Sequence, residues 1–216
     1  MSRRLRGIAF DLDGTLLDTE KLYRRFWVEA AQRRGYPMQD RHALMIRSMA
    51  ASRAEALLKQ AVCPDFDYHG VRALRRKLMD EYVDREGVEA KPGMLTLLRE
   101  ARKRGMRMVL ATATPQARAR QYLSMVGAME YFDAVVCADQ VPCGKPAPDI
   151  YWMAARCLGL PPEEAMAVED SPSGVRAAHD AGFFTVMIPD QDQPDSQTRA
   201  LCDAVLPTLK DVIALL

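Results

Sequence analysis

The 216-residue sequence has almost no net charge, no long apolar run and no paired cysteine motif, and each lack closes off a class of protein. With 30 Lys plus Arg against 29 Asp plus Glu, the formal charge is +1, so no strong field favours nucleic acid or an anionic membrane surface. No window offers the roughly 18 uninterrupted apolar residues of a membrane-spanning helix. The N-terminal "MSRRLRGIAF" starts with basic residues as a secretory signal does. Asp11 interrupts its apolar run before the required length of about 7–15 residues, so no export signal is expected. Cys63, Cys137, Cys143, Cys157 and Cys202 are odd in number and contain no CxxC pair; they are expected to be reduced core thiols of a cytoplasmic protein. His42, His69 and His179 lie far apart with no HExxH spacing and are read as solvated surface residues rather than metal ligands. There is no internal repeat and no low-complexity tract, and "PDQDQPDSQ" (189–197) reads as a polar loop.

What remains is a globular composition, 49% hydrophobic and 27% charged, with ample material for a core. Short apolar runs bounded by turn signals recur: "LRGIAF" before Asp11, "MRMVLA" before Thr112, "FDAVVCA" before Asp139, "AMAVE" before Asp170 and "FFTVMI" before Pro189. Each has the length of a buried strand. Between them lie amphipathic segments at 92–105, 115–127, 147–159 and 171–182, several opening with Pro and closing with Gly as helices do. The βαβα rhythm predicts an α/β fold, a Rossmann-like parallel sheet covered on both faces. From 19 to 90 the rhythm stops and only helical patterns appear, over 20–35, 40–62 and 68–87. An ordinary βα connection has about 2–6 residues, so this interval is expected to be a helical insertion with its own small core. The predicted organisation is a catalytic core of 1–18 and 91–216 with a helical cap of 19–90.

In an open parallel sheet, ligands gather outside the carboxyl ends of the strands. The polar residues just past the predicted ends are Asp11 and Asp13, Thr112 and Thr114, Lys145, and Glu169 and Asp170. Four carboxylates, one lysine and small hydroxyls suit Mg²⁺ with a phosphate far better than an apolar ligand. Mg²⁺ takes octahedral oxygen ligands, and Asp11 and Asp170 can supply carboxylates while relieving the repulsion between crowded acids. Lys145 adds a point charge for phosphate, Thr112 a hydroxyl donor, and the turn amides after Asp11 a backbone cradle. An aspartate can serve as nucleophile through an aspartyl-phosphate. A second carboxyl two residues on can protonate the departing alkoxide and then deprotonate the attacking water. Taken singly, DxDG is an Asx-turn, Thr112 a strand end, Lys145 a surface cation, and "SPSG" a helix start capped by Ser171.

Together and in this order, "FDLDGTLLDT", "LATAT", "GKPAPD" and "VEDSPSG" resemble the four motifs of the haloacid dehalogenase superfamily. Within it, the chain is similar to the β-phosphoglucomutase-like phosphatases, whose helical cap is inserted after the first motif. The resemblance spans essentially the whole chain. It implies Asp11 as nucleophile, Asp13 as general acid/base, and Thr112, Ala113 and Lys145 as the phosphate-binding set. It implies Mg²⁺ held by Asp11, the backbone carbonyl of Asp13, and Asp170, with Glu169 acting directly or through water. True dehalogenases of the superfamily lack an acid at the position of Asp13, so its presence favours phosphoryl transfer over carbon–halogen hydrolysis.

The expected activity is a cytoplasmic, Mg²⁺-dependent phosphatase acting on a small phosphorylated metabolite, sugar phosphates among them. No nucleic-acid, membrane or obligatory protein partner is indicated. Motion at linkers near 16–19 and 88–92 would admit substrate and then exclude water. In the cap, Tyr23, Arg47, Arg53 and Lys77 are candidates to meet substrate, although Tyr23 and Met49 read equally as cap core. The cap's charge is only slightly biased, 14 Lys plus Arg against 11 Asp plus Glu, and its basic stretches read most simply as solvated helix faces. Two alternatives stand beside this: a β-phosphoglucomutase-like phosphomutase, and a non-catalytic phosphometabolite-binding protein. Mutase-type relatives carry a His near Tyr23 and a Lys just after the second motif, where this chain has Tyr23 and Pro115. Arg53 is the one residue read as part of a second phosphate clamp.

Overall fold

The computed structural model describes residues 4–47, 49, 51–191 and 193–216. Six strands form one sheet: β1 (Gly7–Phe10), β2 (Arg107–Thr112), β3 (Ala134–Cys137), β4 (Ala165–Glu169), β5 (Phe184–Met187) and β6 (Ala204–Val205). The helices in chain order are α1 (Glu20–Arg33), α2 (Asp40–Met45), α3 (Ala51–Ala61), α4 (Tyr68–Glu86), α5 (Met94–Lys103), α6 (Gln116–Met125), α7 (Asp149–Leu158), α8 (Pro172–Asp180) and α9 (Ser196–Ala200). The chain divides into two compact units, Met1–Asp18 with Val88–Leu216, and Thr19–Gly87. Among the described residues, no helix is long and apolar enough to cross a membrane.

In the first unit the strands are all parallel, in the order β3-β2-β1-β4-β5-β6. β1 is central and every one of its residues is buried, because both edges are paired and both faces covered. A parallel sheet of this kind needs helices on each face, which explains why β1, β2 and β4 are continuous apolar runs instead of alternating ones. On one face Ile150, Ala154, Ala155 and Leu158 of α7 pack with Ala9, Val109 and Ala167 of the sheet. Each large apolar side chain withdrawn from water there contributes about 1.5–3 kcal/mol. The strand order reverses direction between β1 and β4, so a crevice opens at their carboxyl ends. The chain places Asp11 after β1, and Glu169 and Asp170 at the end of β4, at that point.

The helical unit is organised by α1 against α4. Phe26 meets Tyr82 and Trp27 meets Tyr68, each at 5.5 Å between ring centroids. The Arg75 guanidinium lies 5.0 Å from the Tyr23 ring and 5.4 Å from the Trp27 ring. Asp67 caps α4 by accepting from the Gly70 amide at 2.9 Å, and Gly87, with φ +78°, ends it.

Several expectations need correction. The helical pattern over 40–62 is two helices, α2 and α3. After α2 the backbone tightens into three-residue turns, with the Ile46, Arg47 and Met49 amides donating to Ala43, Leu44 and Ile46. No Gly or Pro marks this break, and Leu44 and Met45, which sustain the apolar pattern through it, are exposed. The two-residue β6 and the short α9 were too small to read, and α9 takes over the end of the polar loop from Ser196, capped by Asp195. Of the cysteines, all free, only Cys137 is buried; Cys143 and Cys157 are exposed. His42 is buried, with Nδ1 accepting from the Gln39 amide at 3.1 Å to cap α2.

The second boundary falls at Gly87/Val88 instead of 90/91 because residues 88–91 pair with 16–18. The Asp18 amide donates to Glu89 O at 2.9 Å, the Lys91 amide to Leu16 O at 2.8 Å, and Leu17 bridges Ala90. Lys91 secures this pairing through its ammonium, which meets the carboxylates of Asp190 and Asp18. Asp190's side chain is only 6% exposed, so losing the cation leaves a carboxylate in a poor solvent. Lys91→Met should lower stability by about 1–3 kcal/mol, a fall of roughly 2–10 °C in melting temperature, and adding Asp190→Asn should recover part of it. Calorimetry of the three proteins checks this.

Candidate active site

The first motif is a strand that runs into a turn. Asp11 still belongs to the ladder through its amide, which donates to Val168 O at 3.0 Å. The chain then folds back: the Leu16 and Leu17 amides both donate to Leu12 O, and the Gly14 amide donates to Leu17 O. Gly14 has φ +83°, which glycine adopts without steric penalty. These amides therefore close the turn on itself, which removes the Gly14 amide from the expected phosphate cradle.

Asp11 is 6% exposed, and its Oδ1 receives Lys145 Nζ at 2.5 Å. The same ammonium donates to Glu169 Oε1 at 2.6 Å and to Ala111 O at 2.9 Å, so its three N–H groups are engaged. Burial works against the Lys145 charge, yet Asp11 and Glu169 outweigh it and hold the ammonium above its usual range. For Asp11 burial dominates and pushes the carboxyl well above its ordinary value; Lys145 opposes this, and Glu169 and Asp13 reinforce it.

One ammonium thus faces several acids. Asp11, Glu169 and Asp170 each present an oxygen within 4.8 Å of the others. Glu169 is fully buried; Oε1 takes Lys145 and the Tyr151 hydroxyl, while Oε2 has no hydrogen-bond partner. A buried carboxylate oxygen without a donor costs free energy, and a cation or its bound water beside it removes that cost. The donor set is all oxygen and all carboxylate, the chemistry that Mg²⁺ takes. The residues present fit such an ion. Thr15 Oγ1 reaches Asp170 Oδ1 at 3.4 Å.

Asp13 points to other partners. Its Oδ2 accepts from Thr114 Oγ1 at 2.5 Å, and its side chain is outside the three-carboxylate cluster. Thr112 is buried at the end of β2, its Oγ1 accepting from the Thr114 amide at 3.1 Å, which leaves its hydroxyl hydrogen to donate. Ala113, between them, is exposed. The carboxyl ends of β1, β2 and β4 and the Lys145 loop thus bring together Asp11, Lys145, Glu169 and Asp170, with Asp13 and Thr112 joined through Thr114. The other candidates belong to the helical unit. Tyr23 is half-buried against Arg75, Arg47 is half-buried past α2, and Arg53 and Lys77 are exposed on α3 and α4, with Lys77 3.8 Å from Glu81.

Two functional contacts escaped the sequence reading. Thr114 was seen only as a polar residue past a strand, and Tyr151 only as part of a helix. The signal for Tyr151 was available: Ile150, Tyr151, Ala154, Ala155 and Leu158 form one buried stripe, and a hydroxyl on such a stripe needs a partner.

A buried carboxylate paired with a lysine, a second acid directed elsewhere and an oxygen-donor cluster at a sheet switch point suit a hydrolase of the phosphoryl- or acyl-transfer kind. The family is specified by comparison: the haloacid dehalogenase-like hydrolase model matches residues 5–182, and the chain belongs to that family. It is 32% identical to hexitol phosphatase A of Escherichia coli over 86% of this chain and 83% of the relative. It is also 32% identical to the phosphorylated carbohydrates phosphatase of Thermotoga maritima, over 83% and 82% of the two chains. The crystal structure of CbbY from Rhodobacter sphaeroides in complex with phosphate superposes with a TM-score of 0.76 and 27% identity, covering 96% of each chain.

Gly174, in the first turn of α8, gives the site a steric test. A Cβ there would lie 2.0 Å from the Glu169 carboxyl carbon. Elsewhere in a helix, Gly→Ala stabilises by about 1 kcal/mol. Here the sign should reverse: Gly174→Ala is expected to cost about 1–3 kcal/mol by overpacking, read as a lower denaturation midpoint. A stabilised variant would show that the Glu169 carboxylate is not held against α8.

Proposed function

We propose that this chain, a phosphoric monoester hydrolase of the haloacid dehalogenase-like family, cleaves small phosphorylated metabolites, sugar phosphates foremost, with Mg²⁺ and through an aspartyl-phosphate. The observation that carries the reading is that Asp11 shares its carboxylate with the three-acid cluster while Asp13 is turned away to Thr114. One acid is thereby set to attack and the other to handle protons. The two curated relatives above are phosphatases of hexitol phosphates and of phosphorylated carbohydrates, which supports the sugar-phosphate class. The five free thiols support a reducing, cytoplasmic setting.

Asp11, Asp170, Glu169 and the backbone carbonyl of Asp13 would hold the ion, directly or through water, and the ion would offset the charge of the phosphate oxygens. An Asp11 oxygen attacks phosphorus. As the ester P–O bond breaks, Asp13 passes a proton to the leaving oxygen, and the alcohol departs. Water then attacks the phosphorus of the aspartyl-phosphate, Asp13 takes its proton, and cleavage of the Asp11–phosphorus bond releases inorganic phosphate. Lys145, already on Asp11, follows the charge onto the phosphoryl oxygens, and Thr112 donates to one of them. Thr114 keeps the Asp13 carboxyl aimed during both proton transfers.

Phosphate release from a panel of phosphorylated sugars and other metabolites, with Mg²⁺ and with EDTA, tests this. Turnover should vanish in EDTA and in Asp11→Asn, and Asp13→Asn should lower kcat by about 10²- to 10⁴-fold. Metal-independent turnover or full activity in Asp11→Asn would overturn the reading. Isomerisation of a sugar phosphate with little free phosphate would replace it with a phosphomutase.

A further inference from the structure

Tyr151 touches both charged partners of the nucleophile. Its hydroxyl donates to Glu169 Oε1 at 2.6 Å, and its ring centroid lies 5.4 Å from Lys145 Nζ. The residue is fully buried on the sheet-facing side of α7, with its ring edge against Phe183 at 5.3 Å. The hydroxyl is the donor in this contact, because the Glu169 carboxylate oxygen accepts.

The Glu169 carboxylate is asymmetric as a result. Oε1 is shared between the Lys145 ammonium and the Tyr151 hydroxyl, whereas Oε2 has no partner. Gly174 closes off the remaining side, with no room for a Cβ. With only Lys145 on Oε1, the carboxylate could rotate about that contact and offer either oxygen to the lysine. A second donor on the same oxygen fixes the plane.

We propose that Tyr151 is a positioning residue of the active site: by binding Glu169 Oε1 beneath Lys145, it fixes which Glu169 oxygen faces the cation site and holds the lysine in line with Asp11. The role of the cation rests on the phosphatase reading; the geometry of Tyr151, Glu169 and Lys145 does not.

The test is Tyr151→Phe, which keeps the ring and removes the hydroxyl. Mg²⁺ binding to the substrate-free protein, measured by isothermal titration calorimetry, should weaken roughly 10-fold. With p-nitrophenyl phosphate, kcat should fall roughly 10-fold while KM changes less than about 2-fold, because the phosphate-binding hydroxyls are untouched. In a Glu169→Gln background the same substitution should change Mg²⁺ affinity by less than about 2-fold, since its effect passes through the carboxylate. Unchanged Mg²⁺ affinity in Tyr151→Phe, or an equal loss in both backgrounds, would reduce Tyr151 to a packing residue. If Tyr151→Phe does not fold, 4-fluorophenylalanine at position 151 fills the para position of the ring without donating a hydrogen bond. A shifted Mg²⁺ affinity at unchanged melting temperature then supports the proposal, and an unshifted one overturns it. The calorimetric arm needs no turnover, so a chain that binds Mg²⁺ normally but releases no phosphate would sink the phosphatase reading and leave this one standing.

Discussion

The site is governed by a shortage of positive charge. Asp11, Glu169 and Asp170 converge at the switch point of the sheet, and one buried ammonium, Lys145, is shared between two of them. Burial chiefly, then the neighbouring Glu169 and Asp13, push the Asp11 carboxyl upward, and Lys145 opposes them only in part. A divalent cation beside the three carboxylates would supply positive charge that Lys145 alone does not.

The fold makes that concentration of charge tolerable by holding it rigidly. β1 and β4 are bonded to each other along their lengths, and the Asp11 amide extends the ladder by one residue, so Asp11 cannot drift from Glu169. α7 supplies Tyr151 from one side, and the first turn of α8 supplies the space at Gly174 and the Ser171 cap, whose Oγ accepts from the Gly174 amide at 3.1 Å. Side chains fixed from several elements give a site more precise than one borne on a single loop.

Much of this was legible because the physics is local. A buried parallel strand must be a continuous apolar run, and all five runs read from the sequence contain strands, with Asp11 and Asp170 directly after two of them. What escaped depends on contacts distant in sequence. Ala204–Val205 is a strand only because β5 offers it an edge, and the α2–α3 break sits in a stretch whose apolar pattern never falters. The Tyr151–Glu169 bond joins a helix to a strand end, and Thr114 acquires its importance only from an aspartate 101 residues away. In the helical unit the sequence names plausible substrate contacts, but their types alone do not separate a solvated arginine from a working one. Arg75, read with its neighbours in "RRK" as part of a solvated helix face, is instead buried, held by Tyr23 and Trp27.

The separation of Asp11 from Asp13 follows from the backbone. Two carboxylates two residues apart on an ideal strand would point to the same face and compete for the same cation. Here the strand ends at Phe10, and Asp13 lies at the start of the turn that Gly14 enters. Thr114, at the end of the neighbouring strand, then fixes Asp13 where it cannot share Lys145 with Asp11. The turn thus leaves a potentially repelling pair with separate partners, Lys145 for Asp11 and Thr114 for Asp13. Its cost is one residue with positive φ, which explains why the position after Asp13 is glycine.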